Sequence, residues 1–317
     1  MKKVLLASTM LVATGGMAAA DITFNGFGRF GLLYDEGRGA GLSDTRLEQR
    51  FRLNIVGTTE TDGGVKFGAR LRIETNDEAN GNSATGDADT DGPTFEDNEN
   101  AIRNPEFNVQ AGGFRLDVGN TSDVIDSGDV VNYYGFGVGL TSFLEQSSDF
   151  SLPASGIGDE IEEAPTVKLR YKMGDLTVAG SYTDNAEDGF EEEWMLGLGY
   201  VFSAYAVGIA FGSEDGSTDN DFWAASISGA FSNVDFSFLV ADSDAQDDVS
   251  YGASISVPVG AATSIQAVVN DNGQDSDDTA YGVGFRHDLG GGVSLRGGIG
   301  NNPSDNTVAD LGVIFNF

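Results

Sequence analysis

From Asp21 to the C terminus the chain runs in segments that alternate apolar and polar residues, and the connections between them fall into two length classes that take turns. Short connections at 61–64, 111–113, 174–175, 203–204, 232–233, 260–261 and 290–292 are mostly Gly, Ser, Asn and Asp. Longer, more acidic ones at 35–44, 77–104, 120–165, 185–193, 213–221, 243–248, 271–278 and 301–306 alternate with them. Seven short and eight long connections imply sixteen strands, the first near 22–34 and the last near 307–317. A side-chain period of two sends successive residues to opposite faces. An even number of antiparallel strands, with short turns on one side and long loops on the other, is the pattern of a closed transmembrane β-barrel. A soluble β-sandwich would share the alternation but would not sort its connections. The expected fold is therefore all-β: a 16-stranded antiparallel transmembrane β-barrel, with both termini on the short-turn side.

One face of the expected strands is apolar almost throughout: Leu47, Phe51, Leu53 and Ile55 in the second, Trp194, Leu196, Leu198, Tyr200 and Phe202 in the eighth. Aromatics such as Phe24, Tyr34, Tyr182, Trp194, Phe202, Tyr205, Trp223 and Phe317 fall near strand ends, where interfacial girdles belong. The final strand carries Ala309, Leu311, Val313, Phe315 and Phe317 at alternate positions, with Ile314 as the misfit, and ends the chain on an aromatic.

Residues 1–20 read as a secretory signal: Lys2 and Lys3, a short apolar run, then Ala18, Ala19 and Ala20 before an expected cleavage after Ala20. The run is far short of the roughly 20 residues a spanning helix needs. The mature domain is then 21–317. Six prolines in 317 residues suit long paired strands that cannot spare donors. The chain has no cysteine, which excludes disulfides and thiolate chemistry. A formal net charge of −33 excludes nucleic acid as a partner, since phosphates demand a basic face.

The basic residues are few and placed with parity. Beyond Lys2 and Lys3 there are fifteen; Arg38 and Arg103 lie in loops, and the other thirteen alternate with apolar neighbours, so they point away from the apolar face. None lies between Met173 and Phe285. Strands 7–13 instead turn Thr177, Ser181, Ser226, Ser228, Ser254, Ser256, Gln266 and Asn270 inward. Once strand 16 closes onto strand 1, the basic strands form one continuous wall and the neutral strands face it. A barrel of this size leaves an aqueous lumen. The longest loop, 120–165, combines Asp123, Asp126, Asp129, Glu145 and Asp149 with an apolar stretch around 130–136. It is too apolar for a purely solvated loop. It is expected to fold into the lumen, with its carboxylates across the opening from the arginines; an external loop covering the mouth is the alternative.

The leader, the opening strand Asp21-Ile-Thr-Phe-Asn-Gly-Phe-Gly-Arg-Phe-Gly31, the segment 107–119 leading into the long loop, and terminal Phe317 occur in an order that resembles a general diffusion porin of the alphaproteobacterial outer membrane. The resemblance spans the mature chain and rests on the order of parts, not on a sharp motif. It implies an outer-membrane homotrimer with a loop after strand 5 forming the constriction. It implies passive diffusion of small hydrophilic solutes and ions, and no enzymatic activity. Carried over, the eyelet bases are Arg29, Arg46, Arg50, Arg52, Arg70 and Arg72, and the acids come from Asp123, Asp126, Asp129 and Glu145. A Pro-Glu-Phe-Gly-like signature of the family is absent from 120–165. Trimer contacts are expected on the outer faces of the first strands and strand 16, where Gly26 and Gly28 look smooth.

Asp87, Asp89 and Asp91 match the first half of a calcium loop, but the twelfth position is Asn98, not Glu. They are a candidate weak Ca2+ site; a solvated acidic loop is the other reading, and no cofactor is required. Divalent ions at such loops would bridge to lipopolysaccharide. His287, the one histidine, sits by a short turn on the outward parity and offers no nucleophile–base geometry. A substrate-specific anion or sugar channel stays open as the alternative function, because the basic wall suits an anion track.

Overall fold

The computed structural model describes residues 20–39, 41–76, 102–152, 165–183, 192–215 and 219–317. Among them lie sixteen strands: β1 Asp21–Asp35, β2 Thr45–Glu60, β3 Lys66–Asn76, β4 Glu106–Ala111, β5 Phe114–Gly119, β6 Thr166–Met173, β7 Leu176–Thr183, β8 Glu192–Phe202, β9 Tyr205–Asp215, β10 Asn220–Phe231, β11 Val234–Ser243, β12 Ser250–Pro258, β13 Thr263–Asp271, β14 Ala280–Gly290, β15 Val293–Asn301 and β16 Thr307–Asn316. Each pairs antiparallel with the next, and β1 pairs with β16, so the sheet closes. Closure removes every free strand edge along the paired length, the condition for a sheet to sit in lipid. The expected signal peptide, the calcium candidates Asp87, Asp89 and Asp91, and residues 153–164 of the long loop lie outside the described residues.

The chain end completes the closure. The backbone N–H of Gly26 donates to the Phe317 carbonyl at 3.0 Å, and that of Phe317 donates to the Gly26 carbonyl at 3.1 Å. The Phe317 ring stacks on Phe51 with centroids 5.8 Å apart. The outer face of β1 is less smooth than its glycines suggest. The Phe315 ring occupies the notch over Gly28, where a Cβ would come within 2.4 Å of it. The short turns are as tight as their residues require. Gly290, Gly291 and Gly292 hold φ of 84°, 64° and 83°, in the left-handed region that glycine enters without steric penalty.

Burial follows the period of two. In β8 residues 192–200 alternate exposed and buried without a break, with Trp194, Leu196, Leu198 and Tyr200 exposed and Glu193 and Met195 buried. The exposed apolar residues continue around the barrel as Phe30, Leu32, Leu47, Phe107, Leu169, Ile209, Phe238, Val283, Ile299 and Leu311. A belt this continuous is untenable against water and suits hydrocarbon. Tyr182, Trp194, Phe211, Trp223, Tyr251 and Tyr281 ring its long-loop end, and Phe202, Tyr205, Phe231, Phe315 and Phe317 its short-turn end. Ile314, the misfit of the last strand, is buried on the inner face, opposite Arg29. Leu198, near the middle of β8 and 46% exposed, tests the assignment of faces. Leu198→Arg is expected to destabilise the barrel in lipid vesicles by about 2–4 kcal/mol, measured by denaturant unfolding, because a guanidinium would meet hydrocarbon.

Candidate pore constriction

The described part of the long loop, 120–152, runs along the inner face of the neutral strands. The Val124 N–H donates to Ser181 on β7 at 3.2 Å. The Asn132 N–H donates to Ser226 on β10 at 2.8 Å, and its side chain donates to Ser237 on β11 at 3.0 Å. The Phe136 N–H donates to Ser254 on β12 at 2.9 Å. On the return path Asn270 on β13 donates to the carbonyls of Glu145 and Ser148, at 3.1 and 3.0 Å, and Ser243 on β11 donates to the Ser151 carbonyl at 2.7 Å. A buried loop must pair its backbone groups. The inward serines and asparagine of the neutral strands supply those partners. Apolar residues fill between them: Val124, Ile125, Val130, Val131, Tyr133, Phe150 and Leu152 pack with Ala179, Met195, Ala210, Phe222, Ala224, Leu239 and Ala241 of the wall.

Glycines let the loop lie directly on the sheet. A Cβ on Gly208 would meet the Val130 carbonyl oxygen at 1.7 Å, and one on Gly252 would meet that of Gln146 at 1.8 Å. At its far end the loop reaches β16. The Asp310 carboxylate accepts the Leu140 N–H at 2.7 Å, the Thr141 N–H at 2.8 Å and the Thr141 hydroxyl at 2.9 Å. Three donors on one charged acceptor make a strong anchor, and it fastens the tip 169 residues away in sequence.

The opposite wall, β1–β6, carries the charge. Arg29 pairs with Glu48 at 2.7 Å, Arg50 and Arg52 both hold Glu74, Arg70 holds Glu106, and Arg115 holds Asp117 at 2.7 Å and Glu106 at 3.4 Å. Arg72 donates to Asn54 at 3.1 Å. The Arg50 and Arg52 guanidiniums also flank the ring of Phe27 at 6.0 and 5.3 Å, within cation–π range. The carboxylates are buried, while the side chains of Arg50, Arg52, Arg70 and Arg115 keep a quarter to a third of their surface open, from 23% at Arg50 to 33% at Arg115; Arg29 keeps only 10%, and Arg72 is buried. The guanidiniums of Arg50, Arg52, Arg70 and Arg115 are thus held by carboxylates while part of each side chain stays open.

The sequence-derived bases all lie on this wall. The loop acids do not all face it. Asp123 is fully buried and accepts the Asp126 N–H at 2.7 Å, so it shapes the loop and does not reach the open lumen. Asp126 accepts the hydroxyl of Tyr134. Burial pushes the Tyr134 phenol up, and Asp126 pushes it further. Asp129 does cross to the basic wall, holding Arg170 and, at 3.5 Å, Lys168 on β6. Glu145 lies toward Arg286 on β14; burial raises its carboxyl to about 7, with Arg286 opposing and Asp126 reinforcing the rise. Loop carboxylates are therefore not the chief partners of the arginines. Arg29, Arg50, Arg52, Arg70 and Arg115 are matched by Glu48, Glu74, Glu106 and Asp117 from the strands themselves. Those four share the inward parity of the arginines, as in Arg46, Glu48, Arg50 and Arg52, so alternate-residue spacing would have found them.

Residues 7–307 match the sequence profile of the Gram-negative porins. A curated porin of Fuscovulum blasticum is 33% identical over 207 residues, 60% of this chain and 65% of that relative, so the alignment spans somewhat under two thirds of its length. A triple mutant of Rhodopseudomonas blastica porin superimposes with a TM-score of 0.77 at 28% identity, covering 94% of this chain and all of that one. A structure described under the asymmetric conductivity of engineered proteins gives 0.75 at 27% identity over the same shares. A profile match along nearly the whole chain, on a closed barrel of sixteen strands, places the protein in the family of Gram-negative porins.

Proposed function

We propose that the protein is a general diffusion porin of the outer membrane: a water-filled channel through which small hydrophilic solutes and ions pass passively. The observation that carries this is the division of the lumen. The loop is seated on the neutral strands, and the arginine wall across from it keeps open, wet guanidinium edges. In this reading Arg29, Arg46, Arg50, Arg52, Arg70 and Arg72 border the constriction from the wall, and Asp126, Asp129 and Glu145 border it from the loop. The chain reaches the membrane through a signal peptide cleaved after Ala20 and works as a homotrimer. Its acidic external loops, with Asp87, Asp89 and Asp91 as a candidate Ca2+ site, contact lipopolysaccharide through divalent ions. Conductance across a planar bilayer tests the proposal: large, ohmic steps support it, and a closed barrel or saturation by a single sugar overturns it.

Fixed charges in a narrow lumen set the local potential. Replacing Arg50, Arg52 and Arg70 together by neutral residues is expected to raise cation preference, read as a shifted reversal potential in a KCl gradient. An unchanged potential would remove these residues from the constriction.

The Glu145 carboxyl is neutral below about pH 7 and charged above it. Cation preference is therefore expected to rise between roughly pH 6 and pH 8, and Glu145→Gln to flatten that rise.

The tip anchor makes a separate prediction. Asp310→Ala leaves two loop N–H groups without their carboxylate, so the loop tip is expected to move. Single-channel records should show larger current fluctuations than those of the unaltered protein, with barrel yield unchanged.

A further inference from the structure

A cavity of about 260 Å3 opens at the root of the inserted loop, away from the tip. Its lining brings four cations, Arg70, Arg115, Lys168 and Arg170, together with three carboxylates, Glu106, Asp117 and Asp129. Thr121, Ser122 and Ser127 complete it from the loop side. The cations come from β3, β5 and β6, so their donors enter from different directions. The volume is far above the roughly 10–15 Å3 that one water molecule needs. It therefore admits a small polyatomic ion with part of its hydration.

Lys168 is the informative member. It is only 5% exposed. Its ammonium has three N–H donors. The oxygens it is paired with, the Asp123 carbonyl and the Asp129 carboxylate, both lie at 3.5 Å, at the outer edge of hydrogen bonding. With two long contacts for three donors, this ammonium keeps capacity to donate to an anion that enters the cavity. The three carboxylates do not offset the cations fully. Asp129 is shared by Lys168 and Arg170, and Glu106 by Arg70 and Arg115. Among the lining side chains the surplus is one positive charge, beside three guanidiniums.

The geometry points to a retention site for a doubly charged tetrahedral oxyanion, of the phosphate class, held by Lys168, Arg170 and Arg115 at the root of the constriction loop. The inference rests on the channel reading and deepens it by naming a solute class. Such an ion presents separate oxygens to donors from each strand, a shape that spherical chloride lacks. Guanidinium forks suit its paired oxygens. Binding at the pore wall would make the channel linger on phosphate while other small solutes pass.

The test is single-channel chloride current with inorganic phosphate added, repeated with sulfate. Phosphate is expected to reduce the current saturably in the unaltered protein, with sulfate acting similarly. Lys168→Met should raise the half-blocking phosphate concentration about tenfold, the loss of one charge-assisted contact. Asp129→Asn should lower it, because it frees Lys168 and Arg170 from their competing carboxylate. The second variant keeps the test alive if the first does not fold. A divalent-cation site built on the same carboxylates predicts the opposite sign for Asp129→Asn. That opposite sign, or a phosphate effect no larger than its lower mobility explains, overturns the inference. Current in phosphate-free KCl reports on the channel reading separately: its absence would remove the porin function, whereas normal current without phosphate block removes only this site.

Discussion

The seating of the inserted loop on the neutral half of the barrel is the contact on which the rest of the arrangement depends. A segment of polypeptide inside a lumen brings its own peptide groups, and each needs a partner or water. Ser181, Ser226, Ser254, Asn270 and Asp310 meet those groups at successive points around the wall. Gly208 and Gly252 remove the side chains that would hold the backbone away. The absence of basic residues from strands 7–13 thus has a positive cause. Those strands are a seat, and a long cation in the seat would lift the loop off it. Because the loop takes this side, the aqueous opening is left against β1–β6, where the arginines stand.

The basic wall needs its own support. Arginines gathered on neighbouring strands repel one another, and an unpaired guanidinium against a protein wall is costly. Glu48, Glu74, Glu106 and Asp117 share the same inward faces and hold the guanidiniums of Arg29, Arg50, Arg52, Arg70 and Arg115. Buried pairs of this kind add little to net stability. Their use here is orientation: each carboxylate fixes where its guanidinium sits on the wall. Asp129 joins this network from the loop and so ties the loop's root to β6, while Asp310 ties its tip to β16. Charged contacts at both ends and apolar packing between them define the rim of the opening.

How much of this the chain declares in advance depends on how local the cause is. Sixteen strands, their alternation and the inward parity of every mid-strand arginine were legible, because a period of two and a Gly- or Asn-rich turn act over a few residues. Insertion of the loop was legible from its apolar content. The matching of arginines by strand carboxylates was missed, although Glu48 and Asp117 announce it by parity. The place of Asp123 is not legible for a different reason. Its acidity is visible in the sequence, but its burial under the loop depends on how residues 123–127 turn.

By itself the sequence determined the closed antiparallel barrel, the lipid and lumen faces, and the division into a basic and a neutral wall. These follow from side-chain alternation and from the hydrocarbon's intolerance of charge. Only the tertiary structure decided which carboxylate meets which cation, that Asp310 fastens the loop tip, and that Lys168 and Arg170 share Asp129 beside a polar cavity. The pairings made by the loop, Asp129 with Lys168 and Arg170 and Asp310 with Leu140 and Thr141, join residues 39 to 170 positions apart. Nothing in local spacing sets these loop pairings; they are fixed where the loop comes to rest, by the packing and hydrogen bonding of the whole wall at once.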